Sequence, residues 1–225
     1  MALRFMNRFR TTGKFNIIME NLPLVIPTTW DPIAKGTGVI LSNGNLTATN
    51  TADDSGRSTD GVSSGKYYYE MTIDVADDGA HGLASGNLVT TIHLASPTNA
   101  AHTIGGYFPD GTIRYNNMAL GFGSNSWTSS DIISVAVDMA TGKVWFAING
   151  VWQGSGAPDP ATGTDSIQDN NASIPLANTL STSTVYAAYS DGSSAGDSVI
   201  TANFGATPFT HSVPNGFFAG FGVLA

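Results

Sequence analysis

The sequence predicts an all-β fold preceded by an extended N-terminal arm, and three observations carry that prediction. Short apolar runs with period-two alternation recur along the chain, separated by Asn-Gly, Asp-Gly and similar turn signals. Charged residues make up only 12% against a typical quarter, while Gly (26), Thr, Ser and Asn are abundant, which is the composition of short strands and tight turns. No amphipathic stretch of helical length follows residue 20, and there is no fixed-period repeat.

The arm comes first. Net charge is −8, yet four of the nine basic residues (Arg4, Arg8, Arg10, Lys14) precede residue 15, where no acid occurs. The remainder carries five basic against 17 acidic residues, a net of −12. A basic leader therefore sits on an acidic body, and an acidic body argues against nucleic acid as the main ligand. Within residues 1–27, Leu3, Phe5, Met6 and Phe9 interleave with the arginines, and the run LPLVIP, bounded by Pro23 and Pro27, contains Leu24, Val25 and Ile26. Glu20 and the asparagines deny it the apolar core of a secretory signal, although acid-free arginines are also a feature of transit peptides. A frayed tail, a strand completing a sheet, and an arm docking on a neighbouring subunit remain as readings. The docking reading assigns the contact to Arg4, Phe5, Arg8, Phe9, Arg10, Leu24, Val25 and Ile26.

After the arm, 38–50 reads as a hairpin turning at Asn43-Gly44. Residues 66–75 alternate Tyr67, Tyr69, Met71, Ile73 and Val75 against Tyr68, Glu70, Thr72 and Asp74, and 104–117 turns at Asp110-Gly111. In 131–139, Ile133, Val135, Val137 and Met139 share one face. Residues 138–143 then turn into TGKVWFAINGVWQGSG, where Asn149-Gly150 is a type I′ hairpin signal because both residues accept positive φ. That turn sets Ile148 opposite Val151, Ala147 opposite Trp152 and Phe146 opposite Gln153. Since Val144, Phe146 and Ile148 line one face and Trp145, Ala147 and Trp152 the other, the strand is apolar on both sides and belongs inside a layered structure. Residues 183–192 and 198–209 supply the last strands, and short strands at regular spacing imply a sandwich or a barrel.

Three ordered motifs also resemble a known family. GKYYYEMTID (65–74), DIISVAVDMATGKVWFAINGVWQG (131–154) and NFGATPFTHSVPNGF (203–217) are similar, in order and spacing, to the signature strands of the SPRY (B30.2-like) domain. The stretch 28–50 looks like the lead-in strands before such domains in bacteriophage and bacterial proteins, so the resemblance spans 28–222. Ser134 stands where the family has Gly, and HGLASGN (81–87) matches its strand only loosely. The resemblance implies a concanavalin-like antiparallel β-sandwich of two sheets over 28–225, with Trp145, Phe146 and Phe204 in the core and Trp152 capping it. It also implies a non-enzymatic role in recognition, with ligand contacts at Asn87 and its neighbours Leu88 to Thr91, Thr90 among them, at Tyr107, and at Tyr189 with Ser190 and Asp191. Tyrosine suits such a surface, although Tyr107 and Tyr189 also read as half-buried strand residues.

Enzymatic and metal readings find little support. Zero cysteines exclude disulfides, thiol catalysis and thiolate metal sites, and no nucleophile elbow stands in a strand-to-helix context. His81, His93 and His102 are spaced as no zinc-ligand pair, and Asp53-Asp54 and Asp77-Asp78 lie in turns rather than across a cleft. A calcium candidate remains in Asp159, Asp165 and Asp169 with Asn170, whose hard oxygens cluster in one loop without EF-hand spacing. Asn45 and Asn171 begin glycosylation sequons, meaningful only in a secreted eukaryotic chain. No apolar run is long enough to span a bilayer as a helix. Two functions are therefore expected: a tailed-phage virion component, as decoration, fibre or appendage, or a free adaptor binding a peptide or glycan. The first engages other virion proteins or copies of itself through the arm and a host-surface protein or glycan through the body. It resides in the virion, the second in the cytoplasm, and neither uses a cofactor, nucleic acid or membrane insertion.

Overall fold

A computed structural model describes residues 5–12, 16–23, 27–94, 96–99, 102–115, 118–120, 125–167, 169, 183–192 and 197–222. Seventeen strands follow in chain order: β1 (Phe5–Thr12), β2 (Asn16–Pro23), β3 (Trp30–Lys35), β4 (Val39–Ser42), β5 (Thr47–Asn50), β6 (Ser55–Val62), β7 (Lys66–Val75) and β8 (Gly79–Ser85). The second half contributes β9 (Thr103–Tyr107), β10 (Ile113–Tyr115), β11 (Met118–Leu120), β12 (Ile132–Asp138), β13 (Lys143–Ile148), β14 (Val151–Trp152), β15 (Val185–Asp191), β16 (Ser198–Asn203) and β17 (Phe218–Ala219). Two single-turn 3-10 segments, Asn43–Asn45 and Pro97–Asn99, are the only helical pieces among the described residues.

The body is a concanavalin-like antiparallel β-sandwich. One sheet has seven strands in the order β11-β10-β9-β8-β15-β6-β3. The other has the order β14-β13-β12-β7-β16-β5-β4, with β17 added parallel to β7. The expected hairpin pairings hold: Asn149 and Gly150 take φ of 50° and 79°, Ala147 pairs with Trp152 and Ile148 with Val151, and Gln153 N donates to Phe146 O at 2.8 Å. At Asn43–Asn45 all three residues adopt positive φ, so the turn between β4 and β5 is longer than a two-residue loop.

The core between the sheets is built from the inward positions that alternation marks. Tyr69, Met71 and Ile73 of β7, Ile133, Val135 and Val137 of β12, and Val144 and Phe146 of β13 meet Trp30, Leu83, Tyr107, Val185 and Tyr189 from the facing sheet. Tyr69 Oη bridges the two layers by donating to Gly82 O at 2.6 Å. Val75, although in register with this face, is 46% exposed, because it lies at the end of its strand.

Trp145 corrects the expectation that it joins this core. It is fully buried but lies on the outer face of its sheet, with Tyr68 and Ala136, under Trp152, Phe209, Val213 and Phe217. Phe204 enters the core between the sheets against Trp30, as expected, and residues 205–217 then form a strap over the second face of β7, β12 and β13, which explains why those strands are apolar on both sides. The strap turns at Gly205, φ +99°, where a Cβ would stand 2.6 Å from Ala219 O. It is pinned by Glu70, whose Oε2 accepts Thr210 N at 2.9 Å and whose Oε1 accepts His211 N at 2.8 Å and Tyr68 Oη at 2.7 Å. Trp145 Nε1 donates to Thr164 O at 2.8 Å, tying the 154–167 loop to the same patch.

Within the arm, β1 and β2 pair with each other from Phe5 opposite Pro23 to Thr12 opposite Asn16, and among the described residues they pair with no strand of the sandwich. Arg8 stands opposite Glu20 and Phe9 opposite Met19 in this register. Phe5, Arg8, Phe9 and Arg10 therefore lie on a hairpin strand, while Arg4, Leu24, Val25 and Ile26 lie outside the described residues.

Candidate functional site at one rim of the sandwich

The sequence-derived ligand residues separate into two groups. Asn87 is exposed and Thr90 half-exposed, both in the connection 86–102 between β8 and β9. Tyr107, Tyr189, Ser190 and Asp191, by contrast, are buried, none more than 1% exposed. Their register explains this: His81 pairs with Tyr107 on one side and Tyr189 on the other, so the three form one row on the inward face of the seven-stranded sheet. The Tyr189 ring packs at 4.6 Å from Trp30, Tyr107 packs at 5.8 Å from Phe146, and Tyr107 Oη donates to Asn125 O. Burial pushes both phenols well above the ordinary tyrosine range, so they remain neutral. Ser190 and Asp191 close the strand, with Asp191 Oδ2 accepting Ser198 N at 3.2 Å. These four residues therefore belong to the interior and present no surface to a ligand.

What remains at the surface is an ordered loop. Leu88 and Leu94 bury themselves against Ala80, Ala84, Phe108 and Ala188 on the outer face of the seven-stranded sheet. Asn99, fully buried, then acts as an internal strut: its Oδ1 accepts Val89 N at 2.9 Å, while Nδ2 donates to the carbonyls of Val89, Ile92 and His93 at 2.9, 3.2 and 3.1 Å. Thr103 Oγ1 donates to Leu94 O at 2.6 Å, and Ser55 N to Thr90 O at 2.9 Å. At the tip, His93 Nδ1 meets Asp53 Oδ1 at 2.6 Å, joining this loop to the 51–54 turn. Asn87, Val89, Thr90 and Asp53 thus present a mixed apolar and polar rim on a backbone already fixed by hydrogen bonds. Sequence reasoning missed Asn99, because a lone asparagine in a polar stretch carries no periodic signal.

The candidate metal and catalytic groups do not converge. Asp159 Oδ1 accepts Ala161 N at 2.9 Å and its Oδ2 accepts Thr162 Oγ1 at 2.9 Å. Asp165 Oδ2 accepts Gly156 N at 2.7 Å, and Asp169 Oδ2 accepts Lys143 Nζ and Ser166 N, both at 3.0 Å. Each of the three carboxylates serves its own turn, and no group of three or more acid or His side chains suited to a metal ion occurs among the described residues. Asn170 and Asn171 lie outside the described residues. The histidines are likewise apart: His81 is buried against Trp127 at 5.1 Å, His93 stands at Asp53, and His102 Nδ1 lies 3.3 Å from Ser85 Oγ. Asp54, the partner in one acidic pair, is buried and its Oδ2 accepts Gly38 N at 2.6 Å, a structural role. Among the described residues no helix is long and apolar enough to cross a membrane.

The fold and this loop define a class: a two-sheet sandwich that presents connecting loops at its surface. Among solved structures, the SPRY domain of human HERC1 superposes with a TM-score of 0.56 at 17% identity, covering 77% of this chain and 96% of that one. Stonustoxin gives a TM-score of 0.53 at 14% identity, covering 79% of this chain and 27% of the toxin chain. No protein-family model matches the sequence, and no curated protein does. The fold is thus that of the SPRY domain.

Proposed function

We propose that this chain is a non-enzymatic recognition component of a tailed-phage virion, assembled in the host cytoplasm, in which the N-terminal hairpin anchors the molecule and the sandwich is displayed outward. The observation that carries this reading is the hairpin itself. Two-stranded hairpins are marginal in water, and β1–β2 pairs with no strand of the body among the described residues, so its stability calls for a neighbouring subunit. Its charge agrees: the basic leader suits docking on an acidic surface, such as the body of a second copy or another virion protein. Recognition of a host-surface protein or glycan is assigned to the 86–102 loop, where Asn87 and Thr90 are accessible.

The test is deletion of residues 1–26. The truncated chain is expected to remain soluble and folded but to be missing from assembled particles; undiminished incorporation rejects the anchoring role. The likeness to the HERC1 SPRY domain favours a second reading, a free cytoplasmic adaptor that binds a peptide or glycan through the same loop. A full-length chain that stays monomeric at all concentrations would favour the adaptor over the anchored protein.

A further inference from the structure

Three Asn-Gly pairs stand in the chain, Asn43-Gly44, Asn149-Gly150 and Asn215-Gly216, and each carries the parts of a reaction that needs no enzyme. The backbone nitrogen of the glycine attacks the Cγ carbonyl of the asparagine side chain, an approach that no Cβ on the glycine obstructs. Ammonia leaves, a succinimide ring closes, and water then opens the ring at either carbonyl. Opening at one carbonyl gives aspartate; opening at the other gives isoaspartate, with the main chain routed through Cβ and one methylene longer. Ring closure needs the glycine nitrogen beside the asparagine Cγ, so the local backbone decides which pair reacts.

Two of the pairs are held out of that geometry. Asn43 and Asn149 have φ of 51° and 50°, the left-handed region, where ψ is about +47° and Cβ stands nearly anti to the following nitrogen. Asn149 is fixed further, because its Oδ1 accepts Ile132 N at 2.9 Å and its Nδ2 donates to Asp131 Oδ1 at 2.7 Å. Asn43 opens a run of three consecutive positive φ values, so its following peptide cannot turn without remaking the connection between β4 and β5.

Asn215 has neither restraint. It is exposed, it is not among the residues of positive φ, and its amide makes no hydrogen bond among the described residues. Phe217 N donates to Pro214 O at 3.1 Å and Gly216 has φ +85°, the geometry of a type II turn with glycine at its third position. The Asn215–Gly216 peptide is the centre of this turn. Its N–H donates to nothing among the described residues, and a Cβ at Gly216 would meet nothing within 4 Å. Turns of types I and II differ by a flip of the central peptide, and one direction of that flip carries Gly216 N past Asn215 Cγ. The turn also seats the strap, since Phe217 stands edge-on to Trp145 at 6.2 Å and Val213 packs in the same cluster. We infer that Asn215 is the site at which the folded chain deamidates spontaneously, and that the isoaspartate formed there loosens the strap over Trp145. The longer backbone no longer spans Pro214 to Phe217 in the turn that places Phe217. This inference depends on neither the arm nor the 86–102 loop.

The experiment is incubation of the full chain, folded and in urea, in mildly alkaline buffer, read by tandem mass spectrometry of its peptides and by enzymatic methylation of isoaspartate. In urea the three pairs are expected to convert together. In the folded chain Asn215 is expected to convert about tenfold faster than Asn43 or Asn149, in proportion to hydroxide concentration, and Asn215→Gln is expected to remove the isoaspartate signal. Hydrogen exchange at Thr210, His211 and Phe217 is expected to accelerate in the converted chain, while Ile133 and Val135 keep their protection. Asn215→Asp adds the charge without lengthening the backbone and is expected to leave that exchange unchanged. The inference is overturned if Asn43 or Asn149 converts in the folded chain as fast as Asn215, if Asn215 converts only in urea, or if conversion leaves exchange across the strap unaltered or alters it no more than Asn215→Asp does.

Discussion

His81 shows how a single side chain sets a condition on the whole protein. It stands fully buried between Tyr107 and Tyr189, packed on Trp127, with Nδ1 unpartnered among the described residues. Burial pushes its pKa down from 6.5 to about 3, so the folded state holds the neutral imidazole while the unfolded state takes up a proton below pH 6.5. The folded pKa lies below the unfolded one, so stability is complete above pH 6.5 and declines as pH falls toward 3, by about 1.4 kcal/mol per pH unit. Urea unfolding midpoints measured between pH 7 and pH 4 are expected to fall more steeply for the native chain than for His81→Met. Equal slopes would show that His81 is not the responsible group. Glu70 is the second such residue, an acid on the outer face of a strand whose neighbours are apolar. Glu70→Gln replaces one acceptor oxygen with a donor facing backbone N–H groups. It is expected to cost about 2 kcal/mol in stability and to accelerate hydrogen exchange at Thr210 and His211.

At the scale of elements, the strands with the strongest apolar alternation were legible from sequence, and those filled with small residues were not. β7, β12 and β13 announce themselves through tyrosine, valine and phenylalanine, and the Asn149-Gly150 turn fixes the register of β13 with β14. β6, by contrast, reads SGRSTDGV and escapes detection because three of its four buried positions, Ser55, Gly56 and Ser58, are small enough to lie beneath Tyr189 and β15, and only Val62 is apolar and bulky. The apolar outer face of β13 signalled a covering layer, yet nothing local identified the distant strap in 205–217 as the cover. The candidate site was legible by half for a related reason. Strand pattern places Tyr107 and Tyr189 on strands, but which face they take depends on tertiary register, and one residue of shift inverts it. Asn99→Ala would strand the backbone groups of Val89, Ile92 and His93. The loop is expected to lose about 3 kcal/mol of local stability, read as faster exchange at Val89 and proteolytic nicking within 86–99, while β7 and β12 keep their protection. Gly150→Ala, at φ +79° with a Cβ 2.7 Å from His211 Nδ1, is expected to cost about 1 kcal/mol, measured as a lowered thermal midpoint.

The whole molecule divides its work between a body closed on both faces and a leader that is not. Each sheet of the sandwich buries its inner face on the other, and each also has a covered outer patch, Leu88 and Leu94 on one side and the Phe209–Phe217 strap on the other. The β1–β2 hairpin, by contrast, pairs only with itself among the described residues. The direct test is the mass in solution, by light scattering, of the full chain and of residues 28–225 at matched concentrations. The account predicts a folded single-chain species for the truncated body and a multimer for the full chain. A multimer of the truncated body, or its failure to fold, would contradict it.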